Sequence, residues 1–299
     1  MKALVTGATG LIGAHLVAKL DHPRVLARSP ERATAKLGAV EAFAWSASEP
    51  VPRAAIDGVD VVFHLAGEPI SGRRLTAARK QEFRDSRILG TRCIVEALRD
   101  SQASNHKVVL VSASATGFYG TRGDAELTEE SAPGDDFFAE LCADWEKEAL
   151  EATAFGVRVV CVRIGIVLAR EGGAFASLRR AFNLGVGGPL GSGEQWMAWI
   201  HVDDIVGLLF HAAERSDVAG ALNLCAPTPE RNKDFARTLG RVMHRPSFMP
   251  MPAFALRLAI GDMADLALAS QRILPKKALA TGYAFRFPAL EGALRDVVG

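Results

Sequence analysis

Apolar and polar positions change period twice within the first thirty residues. Lys2-Ala-Leu-Val5 is a short apolar run, followed by Thr6-Gly7-Ala8-Thr9-Gly10-Leu11-Ile12-Gly13. Leu16, Val17 and Leu20 then recur at helical spacing, and a second apolar run, Val25-Leu26-Ala27, stops at Arg28. This pattern predicts strand, glycine turn, helix and strand. Ser29 as N-cap and Pro30 at the first helical position predict a further helix entry.

The alternation continues downstream. Glu41 to Trp45 reads as a third strand and Val59 to Gly67 as a fourth. Thr76 to Asp100, carrying Phe83, Ile88, Val95 and Leu98 between charges, reads as one long helix or two consecutive ones. Lys107 to Ser112 is a fifth strand, and Asp135 to Ala152 an amphipathic helix with Phe138, Leu141, Cys142, Trp145 and Ala149 on its apolar face. Gly156 to Arg163 is a sixth strand. Regular strand–helix alternation predicts an α/β fold, a Rossmann-type doubly wound parallel sheet.

From about Gly172 the pattern loosens. Gly185 to Gly193 is a glycine-rich loop, Gln195 to Ile200 a short strand, and His201-Val-Asp203-Asp204 opens an apolar helix from Ile205 to Ala213. The two aspartates read as helix caps. The tail is punctuated by Pro246, Pro250 and Pro252, then runs through Gly282–Pro288 to an amphipathic helix ending at Val298. The expected division is a cofactor domain at 1–170, to which part of 195–228 returns. A smaller, mostly helical C-terminal substrate lobe would comprise 171–194 and 229–299.

The glycine spacing carries a chemical expectation. Gly7 permits the tight turn, Gly10 lets a pyrophosphate approach the backbone, and Gly13 lets the helix lie close to the sheet. The helix start offers free N–H groups to phosphate. Arg28 ends the second strand where a carboxylate would bond the ribose 2′-hydroxyl of NAD; an arginine there suits the 2′-phosphate of NADP. Ligands of open parallel sheets bind beyond the carboxyl ends of the strands, which places Leu65, Ala66, Gly67 and Glu68 beside the cofactor. Ser112, Ser114 and Tyr119 follow the fifth strand, where hydroxyls either donate to a ligand or cap the loop. His64 lies inside an apolar run and reads as a buried, satisfied histidine.

Composition narrows the class. Hydrophobic residues make up 49% and charged residues 23%, which is a core-forming balance, and a net charge of +1 argues against nucleic acid or an anionic membrane as partner. Cys93, Cys142, Cys161 and Cys225 form no paired motif and read as reduced core residues. No apolar run reaches about 18 residues, and no leader precedes the first strand, so a cytoplasmic protein with a small-molecule substrate is expected. His201 with Asp204 lacks further ligands, and no metal site is expected.

Several stretches together resemble the extended short-chain dehydrogenase/reductases. They are Thr-Gly-Ala-Thr-Gly-Leu-Ile-Gly13, His-Leu-Ala-Gly67, Gly90-Thr91, Tyr-Gly120, Arg163 and His-Val-Asp-Asp204. Gly67-Glu-Pro-Ile70, Ser86-Arg87, Cys142-Ala-Asp-Trp-Glu146, Gly191-Ser-Gly-Glu-Gln-Trp196, Ser270-Gln-Arg-Ile-Leu-Pro275 and Gly282-Tyr283 are similar, more narrowly, to the atypical branch labelled "epimerase family protein". The resemblance implies NADP(H) contacts at the glycine turn (Gly7, Thr9, Gly10, Leu11, Ile12, Gly13), at Ala27-Arg28, at Leu65-Ala66, at Arg87 and at Ser112. It also implies that Gly165-Ile-Val167 lies near the nicotinamide. Trp45-Ser46 stands where an Asp often bonds the adenine.

Catalysis departs from the superfamily pattern. Its members use a Tyr and a Lys at i and i+4 on one helix face. The only tyrosines here, Tyr119 and Tyr283, are followed four residues later by Gly123 and Phe287. The corresponding helix face holds Phe138 and Cys142, or Leu141 and Trp145 in the other register. The candidates for the missing proton donor are Ser114, Tyr119 and Glu68, with Glu140 or Glu146 behind them. The two expectations for function are an NADP(H)-dependent oxidoreductase or epimerase-like enzyme, and a non-catalytic NADP(H)-binding sensor or interaction protein.

Overall fold

A computed structural model describes residues 1–69, 75–101 and 107–299. Ile70 of the Gly67–Ile70 stretch lies outside the described residues. Seven strands form the main sheet: β1 (Ala3–Thr6), β2 (Arg24–Ala27), β3 (Glu41–Ala44), β4 (Val61–His64), β5 (Val109–Ala115), β6 (Arg158–Ile164) and β7 (Gly220–Leu224). Their order is β7-β6-β5-β4-β1-β2-β3, and every neighbouring pair is parallel. β1, β4 and the middle of β5 are buried on both faces, as a sheet covered by helices on each side requires.

Side-chain alternation along the strands feeds two cores. Val5, Phe63, Val111 and Val160 point to one face, where they pack with Leu16 of α1 (Leu11–Val17) and Ile205, Leu208 and Leu209 of α6 (Val202–Glu214). Leu4, Val62, Leu110 and Val159 point to the other, against Ile94, Val95 and Leu98 of α3 (Ala77–Ser101) and Ala149 of α4 (Phe137–Leu150). The stretch from Thr76 is therefore one helix. Between these elements lie α2 (Pro30–Leu37) and α5 (Gly173–Asn183). Ser29 caps α2 and Pro30 occupies its first turn, as the sequence predicts.

The third core belongs to the C-terminal half. Phe175 and Phe182 of α5, Trp199, Phe235 and Leu239 of α7 (Asn232–Met243), and Leu294 of α8 (Leu290–Val298) are buried together. Gln195 to Ile200 is not one strand but two short ones, Trp196–Met197 and Trp199–His201, with different partners. Among the described residues no helix is long and apolar enough to cross a membrane.

Candidate cofactor and active site

The strand order reverses at β1, whose neighbours are β2 and β4, and the crevice of a doubly wound sheet opens at that point. Gly7 lies there with φ +66°, and a Cβ on it would stand 2.6 Å from the Leu65 carbonyl oxygen. A Cβ on Gly13 would stand 2.3 Å from the Gly7 carbonyl oxygen, so α1 can approach the turn this closely only through glycine. Gly10 differs, because the nearest atom to its Cβ is the Gly7 oxygen at 3.2 Å. Gly10 is also the N-cap of α1 and supplies no side-chain cap, which leaves the first N–H groups of Leu11, Ile12 and Gly13 for an external acceptor. Thr9 and Gly10 are exposed.

A buried relay fixes the opposite wall. The Ala66 amide donates to Thr6 Oγ1 at 3.0 Å, and Thr6 Oγ1 lies 2.8 Å from His64 Nδ1. His64 Nε2 lies 3.1 Å from Thr91 Oγ1, which also accepts from Trp145 Nε1 at 2.9 Å. Thr6 Oγ1 accepts from Ala66 and Thr91 Oγ1 from Trp145, and each hydroxyl still has a proton and a lone pair with which to meet one nitrogen of a neutral His64 ring. Burial pushes the His64 pKa down to about 4. His64 is thus the satisfied core histidine that its apolar setting predicts, and it holds Leu65-Ala66 in place.

Cations stand beyond the two strands that neighbour β1. Arg87 is only 7% exposed, donates to the carbonyls of Phe83 (3.3 Å) and Glu68 (3.2 Å), and lies over the Trp145 ring. Among the described residues no carboxylate pairs with it, and burial lowers its pKa. The guanidinium lies against Gly67, where a Cβ would meet it at 3.4 Å, an ordinary contact distance. A buried cation without a carboxylate is costly unless an anion joins it. Arg28 is exposed at the end of β2 and forms no hydrogen bond or ion pair among the described residues. The uncapped turn, Arg87 and Arg28 together fit a dinucleotide carrying a diphosphate and a further phosphate. No group of three or more His, Cys, Asp or Glu side chains among the described residues is placed to hold a metal.

The expected catalytic residues separate. Ser114 lies at the carboxyl end of β5, which runs on to Ala115, and its hydroxyl donates to Glu146 Oε1 at 2.6 Å. Glu146 also accepts from Arg163 Nε and Nη2, each at 2.8 Å. The single proton of Ser114 is thereby committed, so it presents lone pairs rather than the donor expected of it. Tyr119 closes a one-turn helix, Thr116–Tyr119, and is fully buried. Its hydroxyl donates to Asn223 Oδ1 (2.7 Å) and accepts from Arg163 Nη1 (2.8 Å), and burial raises its pKa to about 12. That geometry makes Tyr119 a core strut with no hydroxyl left for a substrate. Glu68 is half-buried and pairs with Arg79 at 3.4 Å. Ser112 is buried, and its hydroxyl has no partner among the described residues.

The face of α4 expected to carry a Tyr and a Lys carries Phe138 and Cys142, and both line Gly117 just beyond β5. Leu266, from the short helix Met263–Leu268 of the lobe, closes over the same glycine. Burial pushes the Cys142 thiol up to about 12. Val167 is half-buried in the strand Ile166–Leu168, which pairs with Trp199–His201.

His201 caps α6, not the aspartates, and its Nδ1 accepts from the Asp203 amide at 3.1 Å. Asp204 is buried and accepts from the amides of Arg286 (2.8 Å) and Phe287 (2.9 Å) and from the Tyr283 hydroxyl (3.1 Å). It ties the C-terminal segment to the sheet domain. Sequence reasoning did not single out this anchor, nor the relay through Thr6 and Thr91, since each joins residues more than twenty positions apart.

Residues 3–225 match the model of the NAD dependent epimerase/dehydratase family, and residues 251–297 match a domain of unknown function, DUF1731. The "Epimerase family protein SDR39U1 homolog, chloroplastic" of Arabidopsis thaliana is 40% identical over 303 residues, covering 100% of this chain and 87% of that protein. The "Epimerase family protein YfhF" of Bacillus subtilis is 37% identical, covering 100% of this chain and 98% of that protein. A crystal structure of the human epimerase family protein SDR39U1 (isoform2) with NADPH has a TM-score of 0.87 and 33% identity, covering 100% of this chain and 99% of that chain. The glycine turn at the β1/β4 crevice and these likenesses along the whole length agree: the chain belongs to the NAD dependent epimerase/dehydratase family.

Proposed function

We propose that this protein binds NADP(H) at the β1/β4 crevice and acts as an oxidoreductase or epimerase-like enzyme on a small carbonyl or nucleotide-sugar-like substrate. The observation that carries this reading is Arg87, a buried guanidinium with no carboxylate in salt-bridge contact among the described residues, standing at Gly67-Glu68 just beyond β4, the strand next to the one that leads into the uncapped glycine turn. Gly7, Thr9, Gly10, Leu11, Ile12 and Gly13 would hold the diphosphate, Arg87 would add charge, and Ala27-Arg28 would meet the 2′-phosphate. Leu65, Ala66 and Gly67 would line the adenosine side, with Ser112 and Val167 toward the nicotinamide. The NADPH named with the human relative supports the choice of cofactor. Residues 1–170, with part of 195–228, would form the cofactor domain, and 171–194 with 229–299 the substrate lobe. Free thiols suit a cytoplasmic setting.

When bound, NADP(H) supplies the hydride donor or acceptor. The chain's own part is proton handling. Ser114 accepts a hydrogen bond from a substrate hydroxyl, and a proton reaching its oxygen has Glu146 Oε1 2.6 Å away. Arg163 holds that carboxylate in place. The second reading, a cofactor-binding sensor, is favoured by Phe138 and Cys142, which stand on the helix face where the family pattern carries its phenol and ammonium and which pack beside Gly117.

Absorbance of NADPH in the presence of carbonyl compounds and nucleotide sugars separates the two. Turnover that falls about a hundredfold in Ser114→Ala, with NADPH affinity kept, is the expected result. Tight binding without turnover across the panel sustains the sensor reading. Arg28→Ala is expected to abolish the preference for NADPH over NADH, and equal affinities in the unmutated protein would overturn the NADP assignment.

A further inference from the structure

Arg28 is not the only cation near the outer edge of the glycine turn. Helix α2 starts two residues beyond it, and its sequence, Pro-Glu-Arg-Ala-Thr-Ala-Lys-Leu, carries Arg32 and Lys36 four residues apart, hence on one face. That face is turned toward the dinucleotide crevice, because Lys36 Nζ donates to the Thr9 carbonyl oxygen at 2.8 Å. Thr9 belongs to the glycine turn itself and is exposed, as are Arg28, Arg32 and Lys36. The only carboxylate of the helix, Glu31, is engaged by the Ser29 hydroxyl at 2.9 Å. None of the three cationic side chains pairs with a carboxylate among the described residues.

The arrangement bridges two parts of one ligand. The Lys36 ammonium reaches a carbonyl of the phosphate-binding turn from a helix that begins two residues beyond the end of the ribose-binding strand, with Arg32 on the same helix face. We infer that Lys36, with Arg32, completes a phosphate monoester subsite whose first member is Arg28, and that Lys36 is a specificity-determining residue for the 2′-phosphate of NADP(H). This rests on the NADP(H) reading above. An ammonium anchored on the turn is already near its working position, so little side-chain freedom is lost when a phosphate arrives. A monoester dianion gains charge-assisted hydrogen bonds there that a ribose hydroxyl does not.

The test is equilibrium titration with NADPH and NADH, and with 2′,5′-ADP against 5′-AMP, on the full chain and on Lys36→Met, which keeps the apolar stem. NADPH and 2′,5′-ADP are expected to weaken about tenfold in the variant, while NADH and 5′-AMP change less than about twofold. Lys36→Arg is expected to restore most of the NADPH affinity, which a merely structural tie to Thr9 would not require. Equal weakening of NADPH and NADH, or no change in either, overturns the assignment of Lys36 and leaves the cofactor reading standing. An unmutated protein that binds neither dinucleotide overturns both.

Discussion

Gly10 and Gly13 stand three residues apart and are glycines for different reasons. A Cβ on Gly13 would drive into the Gly7 carbonyl at 2.3 Å, so the protein itself excludes it. On Gly10 a Cβ would meet only that oxygen at 3.2 Å, and the space over it faces the crevice. Gly13→Ala is therefore expected to lower stability by about 1–3 kcal/mol in urea unfolding. Gly10→Ala should change stability by less than about 1 kcal/mol but weaken NADPH at least about tenfold in a fluorescence titration, since its methyl takes the space of the diphosphate. Gly10→Ala binding NADPH as tightly as the unmutated chain would sink the crevice assignment. The close approach at Gly13 was legible from spacing because its task is local. Ser114 and Tyr119 were legible only as positions. Whether a hydroxyl is free depends on partners as distant as Glu146 and Asn223, 32 and 104 residues along the chain.

At the scale of elements, the Thr6–His64–Thr91–Trp145 relay ties β1, β4, α3 and α4 together beneath the cofactor crevice. Its energetics give a pH signature. The His64 pKa falls from an ordinary 6.5 to about 4 through burial, so the unfolded chain takes up a proton below 6.5 that the folded one refuses. The stabilisation is complete above pH 6.5 and is lost as pH falls toward 4. The loss from this residue is on the order of 3 kcal/mol. His64→Gln should lack that component, so its unfolding free energy should vary less between these limits than that of the unmutated protein. Parallel pH curves would contradict the neutral, buried assignment. The helix over Thr76–Asp100 was ambiguous in sequence because charges interrupt its apolar positions. In the structure it is continuous, since Ile94, Val95 and Leu98 are all buried against one face of the sheet.

Across the whole molecule, the C-terminal tail is tied to the sheet domain at Asp204 and Gly207. Asp204 accepts three hydrogen bonds from Tyr283, Arg286 and Phe287, and the Tyr283 hydroxyl sits where a side chain on Gly207 would be, 2.2 Å from its Cβ. Gly207→Ala is expected to cost about 1–3 kcal/mol. In a double-mutant cycle Tyr283→Phe should relieve part of that cost, because the hydroxyl is the atom in conflict. Strict additivity of the two substitutions in thermal or urea unfolding would rule out this docking. Two aspartates after His201 looked like caps because capping is the common local use of that residue type. Asp204 instead serves partners some eighty residues away, which no local pattern records.

The sequence by itself determined the strand–helix alternation, the glycine turn, the arginine at the end of β2 and the absence of a Tyr-x-x-x-Lys pair. Each of these depends on neighbours within a few positions. Only the tertiary structure decided that Tyr119 is a core strut, that Ser114 has its proton committed to Glu146, that Arg87 is a buried cation with no carboxylate in salt-bridge contact among the described residues, and that Lys36 reaches the glycine turn. Hydrogen-bond satisfaction and burial are properties of the packed chain, and a side chain's chemistry depends on which of its polar atoms the fold leaves unused.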